Sequence, residues 1–388
     1  MQSRERGVVM IVVVASLLAV LAMAGLAIDV SHTLSTKARL QSVVDAAALA
    51  GAKVLDQTGS TAQASAAVLT NVSANAQSFP ALRDSGISPV IEFAEAASPF
   101  TPGGVSPRFV RVRIESLPVT ASLIRVLGID ALDVRASALA GPSPPLEEVC
   151  NVLPVVVCGD SATAPFGYTP GNVYALKGGN SGLGSSNYGL IRLGGSGSSV
   201  VRTNLAGGFA QCLEVGQIVN TQPGNVTGPT AQGLNTRFNR YAGGGMNADD
   251  YPPDVVTREP SPALRLNGSG QIRQGGTVIT SAAQLDYNHS IYESQVAAGN
   301  YTHQPRPAGN AVFGRREVVV PIANCTVPQP VIRGFGCFFL LQQVEQGNGD
   351  IFGEFIEDCE AGGRPGSNPG TGGPYIIQLY RDPASADS

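Results

Sequence analysis

Between Val8 and Ile28 the chain runs 21 residues without a charge, and this stretch limits the possible architectures more than any other. At about 1.5 Å per residue a helix of that length reaches roughly 31 Å, matching a hydrocarbon core of about 30 Å. Twelve of the residues are Leu, Ile or Val. Each favours the bilayer centre by about 0.3–0.6 kcal/mol, whereas one central charge costs about 3 kcal/mol. The first charge after the run is Asp29. A core helix of a soluble protein is the alternative, but such helices rarely run this long without a polar face. Ala22-Met23-Ala24 has the small-x-small form of a signal cleavage site. The apolar stretch before it is longer than the usual ~7–15 residues, so a retained helix spanning the bilayer from Val8 to Ile28 is expected.

Orientation by flanking charge is nearly a tie, with Arg4 and Arg6 before the run and Lys37 and Arg39 after it. The cysteines break the tie. All six (Cys150, Cys158, Cys212, Cys325, Cys337, Cys359) lie in the C-terminal part, and an even set confined to one region reads as paired in an oxidising compartment. Six reduced, buried thiols are the alternative. No CxxC spacing occurs, which argues against a zinc ribbon or a thioredoxin-like pair. Residues 1–7 are therefore expected in the cytoplasm and everything after Asp29 outside it.

Glycine usage marks a change of architecture. Nine of the 47 glycines fall up to Gly141 and the other 38 follow it, after the GPSPP run from Gly141 to Pro145. The expected fold class is α+β, in three parts joined by a linker at 142–149: the helix at 8–28, a juxtamembrane α+β domain at 29–141, and a β-rich, disulfide-capable domain at 150–388. A formal net charge of -4 gives no field suited to nucleic acid.

Helical pattern continues past the membrane. Leu40, Val43, Ala47, Ala50 and Val54 recur in steps of three and four, the seam of a packed helix. Ala46 with Ala50 and Ala47 with Gly51 form small-xxx-small pairs that admit a close neighbour, either another chain or the protein's own domain. Gln41 and Asp45 stand one turn apart, off the seam, placed for a side-chain hydrogen bond. Ala64, Val68, Val72 and Phe79 suit one face of a second helix. Val110, Val112 and Ile114 alternate with Arg111, Arg113 and Glu115 as in a half-buried strand, and Leu132, Val134, Ala136 and Ala138 repeat that period. Further on, PVVVC, REVVVPI and GFGCFFLL read as strands between glycine-rich turns. Cys150 and Cys158, eight residues apart across an extended segment, are expected to pair elsewhere; six cysteines allow 15 connectivities.

The basic start, Gly7, the apolar run ending AGLAIDV (Ala24 to Val30), LQ (Leu40, Gln41) and DAAALAGA (Asp45 to Ala52) together resemble the N-terminal segment of the TadE/TadG-like proteins of bacterial Flp pilus assembly, the tight-adherence system. Later stretches, YGLIRLGG, PGNVTGPT and GLNTRF, are similar to the extracytoplasmic part of TadG-related proteins. The resemblance implies an inner-membrane protein with a periplasmic bulk and pilus or envelope proteins as partners. Processed pilin subunits carry a glutamate five residues after the cleaved glycine; here that position is Val12, so such processing is not expected. Many TadG-like proteins also contain a DxSxS metal motif. Only Asp29-Val30-Ser31-His32-Thr33 approximates it, at the exit of a membrane helix rather than after a buried strand, so no metal is expected there.

Catalytic signatures are sparse. The histidines are His32, His289 and His303, and no GxSxG, HExxH or GxxxxGK[ST] occurs. His289 lies near Asp286 and Tyr287, but catalytic groups must converge in space, and a polar surface loop is the expected reading. The lysines offer no better nucleophile. Asn247, Asp249, Asp250 and Asp254 read as a solvated turn rather than a calcium loop, and GGNSGLGSS (Gly178 to Ser186) as a loop rather than a nucleotide cradle. The expectation is a non-enzymatic, membrane-anchored assembly component with no cofactor, metal or small-molecule substrate. A membrane-tethered hydrolase or carbohydrate-binding module is the alternative.

Overall fold

Helix α1 spans Glu5–Thr58, unbroken because no proline occurs before Pro80. In this computed structural model, which describes residues 5–178, 189–222, 224, 226–301, 310–326, 329–345, 347, 349–366, 372–382 and 385, the chain forms two units. One is Met1–Gly141 with Ile377–Ser388, the other Pro142–Ile376.

In the first unit α1 turns at Gly59 into α2 (Thr61–Ala76), whose N-terminus is capped by the Ser60 side chain accepting from the Gln63 N–H. The short α3 (Pro80–Arg83) follows. Three strands come next, β1 (Val90–Ala94), β2 (Phe109–Thr120) and β3 (Ala131–Pro142). Their sheet is completed by the last strand of the chain, β17 (Ile377–Tyr380), in the order β1-β2-β3-β17. The β1–β2 and β2–β3 pairs are antiparallel. Ala64, Val68 and Val72 of α2 and Val110, Val112, Ile114 and Leu117 of β2 are buried with the second half of α1 in one core. Gly51 is the closest approach: a Cβ there would lie 2.5 Å from Val68 Cγ2. Gln41 Nε2 donates to Asp45 Oδ1 and to the Ser137 carbonyl, both at 2.8 Å, which ties α1 to β3.

In the second unit the strands are β4 (Leu146–Val152), β5 (Val157–Cys158), β6 (Val173–Lys177), β7 (Phe209–Glu214), β8 (Leu264–Leu266), β9 (Ile272–Gln274), β10 (Thr277–Val278), β11 (Glu317–Asn324), β12 (Val331–Leu340), β13 (Ile351–Ile356), β14 (Asp358–Glu360), β15 (Gly362–Pro365) and β16 (Gly373–Tyr375). Helices α4 (Ser198–Gly207), α5 (Thr227–Leu234) and α6 (His289–Ala297) lie between them. The central sheet runs β5-β11-β12-β13-β6. It is covered on both faces: Val318, Val320 and Ile322 join a core with α4 and α5 residues, while Val319 and Ala323 join another with Tyr292 and Val296 of α6. Two-sided burial explains why β11 and β12 are apolar almost throughout instead of alternating. The six cysteines form three pairs, Cys150–Cys212, Cys158–Cys325 and Cys337–Cys359. Cys150 and Cys212 stand opposite one another in the β4–β7 register.

Four expectations are revised. On α1 the expected Leu40, Val43 and Ala47 are buried, together with Val44, Ala48, Gly51, Ala52 and Leu55, whereas Ala50 and Val54 are only half-buried. A straight helix drifts ~20° per heptad from a 3.5-residue repeat, about 40° over these two heptads, so the buried face broadens towards the following positions and leaves Ala50 and Val54 at its edge. Phe79 is buried but lies beyond α2, at the start of α3. The 142–149 linker is largely strand, since β3 reaches Pro142 and β4 starts at Leu146. The last twelve residues belong with the first unit, because β17 completes its sheet.

Candidate functional site

Most described side chains from Val9 to Ile28 have no other part of the described protein packed on them. Val9, Ile11, Val12, Val13, Val14, Leu17, Leu18, Val20, Leu26 and Ile28 are each 48–70% exposed. Leaving such a side chain in water forgoes about 1.5–3 kcal/mol, so ten of them forgo a sum that exceeds the ~5–15 kcal/mol stability of a typical domain. These side chains need an apolar surrounding that the described residues do not supply. The helix is long and apolar enough to cross a membrane.

At the end of the apolar run the helix meets the tip of the β2–β3 hairpin. The Asp29 carboxylate accepts three backbone N–H groups: Ser122 at 2.9 Å, Leu123 at 2.8 Å and Ile124 at 2.6 Å. Those donors open a 3-10 turn, Ile124–Leu127, that no local side chain caps, so a carboxylate some 90 positions earlier satisfies groups that would otherwise lack partners. Gly25, one turn before Asp29, lets Leu123 lie against the helix; a Cβ there would come within 3.0 Å of Leu123 Cβ. Asp29 is therefore a structural clamp, Thr33 Oγ1 donates to the Asp29 carbonyl, and His32 is exposed.

Within the second unit the ionisable groups form a buried network that sequence spacing did not reveal. Arg316, fully buried, donates to the carbonyls of Leu340, Val256, Arg258 and Leu341 and stacks on Phe339 and Phe238. Asp254 is also fully buried and accepts from the Arg316 and Val256 N–H groups at 2.9 and 3.0 Å. It thus departs from the solvated turn expected for it. Burial pushes its carboxyl up to about 6, partly offset by the Arg316 charge. The rest of that turn behaves as expected, with Asn247 Oδ1 accepting from the Asp249 and Asp250 N–H groups.

His289 is not on a surface loop. It opens α6, where Asn288 caps the helix. Its backbone N–H donates to Glu354 at 2.8 Å, its Nε2 lies 3.1 Å from Glu317 and its Nδ1 3.7 Å from Glu293. Burial pulls the imidazole down, but the hydrogen bond to Glu317 and the charges of Glu317, Glu293 and Glu354 leave it raised overall. Its sequence neighbours do not converge on it: Asp286 is exposed and accepts from the Ser261 N–H, while Tyr287 is fully buried beside Arg316. Partners 28 and 65 positions away have no signature in local spacing.

Lys177 is buried, its Nζ donating to the Gly349 carbonyl at 2.8 Å, and burial pushes it down to about 8 against the pull of Asp350. Among the described residues one group of three potential metal ligands has its donor atoms together, Glu148, Cys150 and Cys212, and the disulfide occupies both sulfurs. In the first unit an open cleft of about 400 Å³ is lined by Arg113, Arg135, Ser137 and Asp382. Asp382 there is held by Arg111 and by the Ser137 hydroxyl. Arg111, expected on the solvent side of its strand, is buried between Glu92 and Asp382. His303 and residues 179–186 of the glycine-rich stretch lie outside the described residues.

No curated protein and no solved structure matches the chain. The stretches YGLIRLGG, PGNVTGPT and GLNTRF lie outside the residues of the family match, which fall on α1. Residues 7–54 match the Tad family, described as "Putative Flp pilus-assembly TadE/G-like", so the N-terminal segment of this chain carries a TadE/G-like Flp pilus-assembly domain.

Proposed function

We propose that this chain is a single-pass, membrane-anchored structural component of a bacterial Flp-type pilus assembly machinery, with its N-terminus in the cytoplasm and its bulk in the periplasm. The observation that carries this reading is a coincidence on one helix: the TadE/G-like match at residues 7–54 covers both the exposed apolar half of α1 and the half packed on its own domain. The three cysteine pairs support an oxidising compartment for the second unit. A scaffolding rather than catalytic role is supported by the engagement of Asp254, Arg316 and Asp382 in internal bonds.

The test uses a Flp-piliated strain deleted for this chain and complemented with variants. Two central charges, Val14→Arg with Leu18→Arg, add about 6 kcal/mol to insertion, comparable to the contribution of the twelve aliphatic residues. The double variant is expected to leave the carbonate-resistant membrane fraction and to lose surface pili with it. Full piliation by a variant found only in the soluble fraction would overturn the reading.

A further inference from the structure

We infer that the β2–β3 tip, Ser122–Asp130, is a second membrane-contacting element, seated in the lipid headgroup region beside the outer end of α1. The inference rests on the reading of α1 as a membrane helix and adds a lipid-binding surface to it. Leu123 packs on Gly25, which lies three residues inside the end of the apolar run at Ile28, or about 4.5 Å along the axis. If the run occupies hydrocarbon, Leu123 is carried to the level of the acyl-chain boundary.

The composition of the tip fits that depth. Ser122–Ile129 reads SLIRVLGI, with five aliphatic residues in eight, an unusual content for a hairpin tip facing water. Leu123 and Ile129 are 48% and 38% exposed. On α1 itself Val30 and Leu34 are exposed as well, at 42% and 61%, so exposed aliphatic side chains lie on both elements that meet where Leu123 contacts Gly25. Arg125, the one basic residue of the tip, is more than half exposed and its Nε donates to the exposed Asp130 at 3.3 Å; its apolar stem and charged head suit a headgroup layer, where the rest of the guanidinium reaches phosphate. The Asp29 clamp explains how the tip is held there: three N–H groups on one carboxylate fix it to the helix.

The chain contains no tryptophan, so single-Trp variants report position without background. The full-length protein is reconstituted into phosphatidylglycerol-containing vesicles in two preparations, with bromine high on the acyl chains to read the tip and with bromine near the chain ends to read the midplane position of Leu18, and four variants are compared: Leu123→Trp, Ile129→Trp, Leu18→Trp within the helix, and Val105→Trp. Val105 is 97% exposed and precedes β2, at the end of that strand away from the tip; twelve residues at about 3.3 Å place it roughly 40 Å off. The expected result is quenching of Leu123→Trp and Ile129→Trp at least twofold above that of Val105→Trp. If Leu18→Trp is quenched while both tip variants match Val105→Trp, as they would with the tip in water or under a protein partner, the tip proposal is wrong and the anchor stands. If Leu18→Trp is not quenched either, the anchor reading fails and takes the proposal with it. Ile129→Trp keeps the test valid should a bulky ring at Leu123 disturb the contact with Gly25.

Discussion

Arg316 shows how single residues hold the second unit together. Its guanidinium ties together two segments through the carbonyls of Val256 and Arg258 and of Leu340 and Leu341, while its backbone N–H donates to Asp254, both residues lying without solvent exposure. Removing one partner of a buried charged network typically costs about 3–5 kcal/mol, a large share of the stability of a domain. Arg316→Met is expected to lower the denaturant midpoint of the second unit by that order, and an unchanged midpoint would show that the network contributes nothing. The same site sets a pH dependence. The Asp254 carboxyl is raised to about 6 by burial, so its contribution is fully present below its ordinary value near 4 and is lost as pH rises through about 6. His289 is raised, and its contribution is present below about 6.5 and lost as pH rises through its raised value. Glu259, Glu293 and Glu354, all raised by burial, act in the same direction as Asp254. Thermal melts are therefore expected to show a more stable second unit near pH 5 than near pH 7.5, with a shallower slope for Asp254→Asn; a melting temperature that climbs across this window would contradict the assignment.

At the scale of elements, α1 is one helix in two environments. From Val9 to Ile28 its described side chains are exposed, with Gly25 against Leu123 the exception, and from Leu40 a stripe of it is buried against α2 and β2. The small residues of that stripe serve close packing within the unit, as Gly51 against Val68 shows. Ala47 is fully buried and Ala50 half-buried. Ala47→Leu is accordingly expected to destabilise the first unit by about 1–3 kcal/mol through overpacking, and Ala50→Leu by less. Thermal denaturation of the two variants in detergent checks the order; equal and negligible effects would mean that the stripe is not packed as described.

For the molecule as a whole, what could be read from sequence was what depends on neighbours in the chain. The apolar run, the Ala64–Val68–Val72 face and the alternation from Val110 to Ile114 are local periodicities, and each marks an element that forms. What could not be read depends on which distant segments meet. Arg111 looked solvent-facing because nothing local announces that Asp382 returns beside it. Asp254 and His289 looked exposed for the same reason, and the Cys150–Cys212 pairing follows from a β4–β7 register that no spacing rule supplies. The central claim is an anchored chain whose second unit lies outside the cytoplasm, and it is tested most directly by paired reporters fused after Gly141. A reporter active only in the periplasm should work there, and one active only in the cytoplasm should stay silent. The reverse pattern would contradict both the orientation and the oxidising environment assigned to the three cysteine pairs.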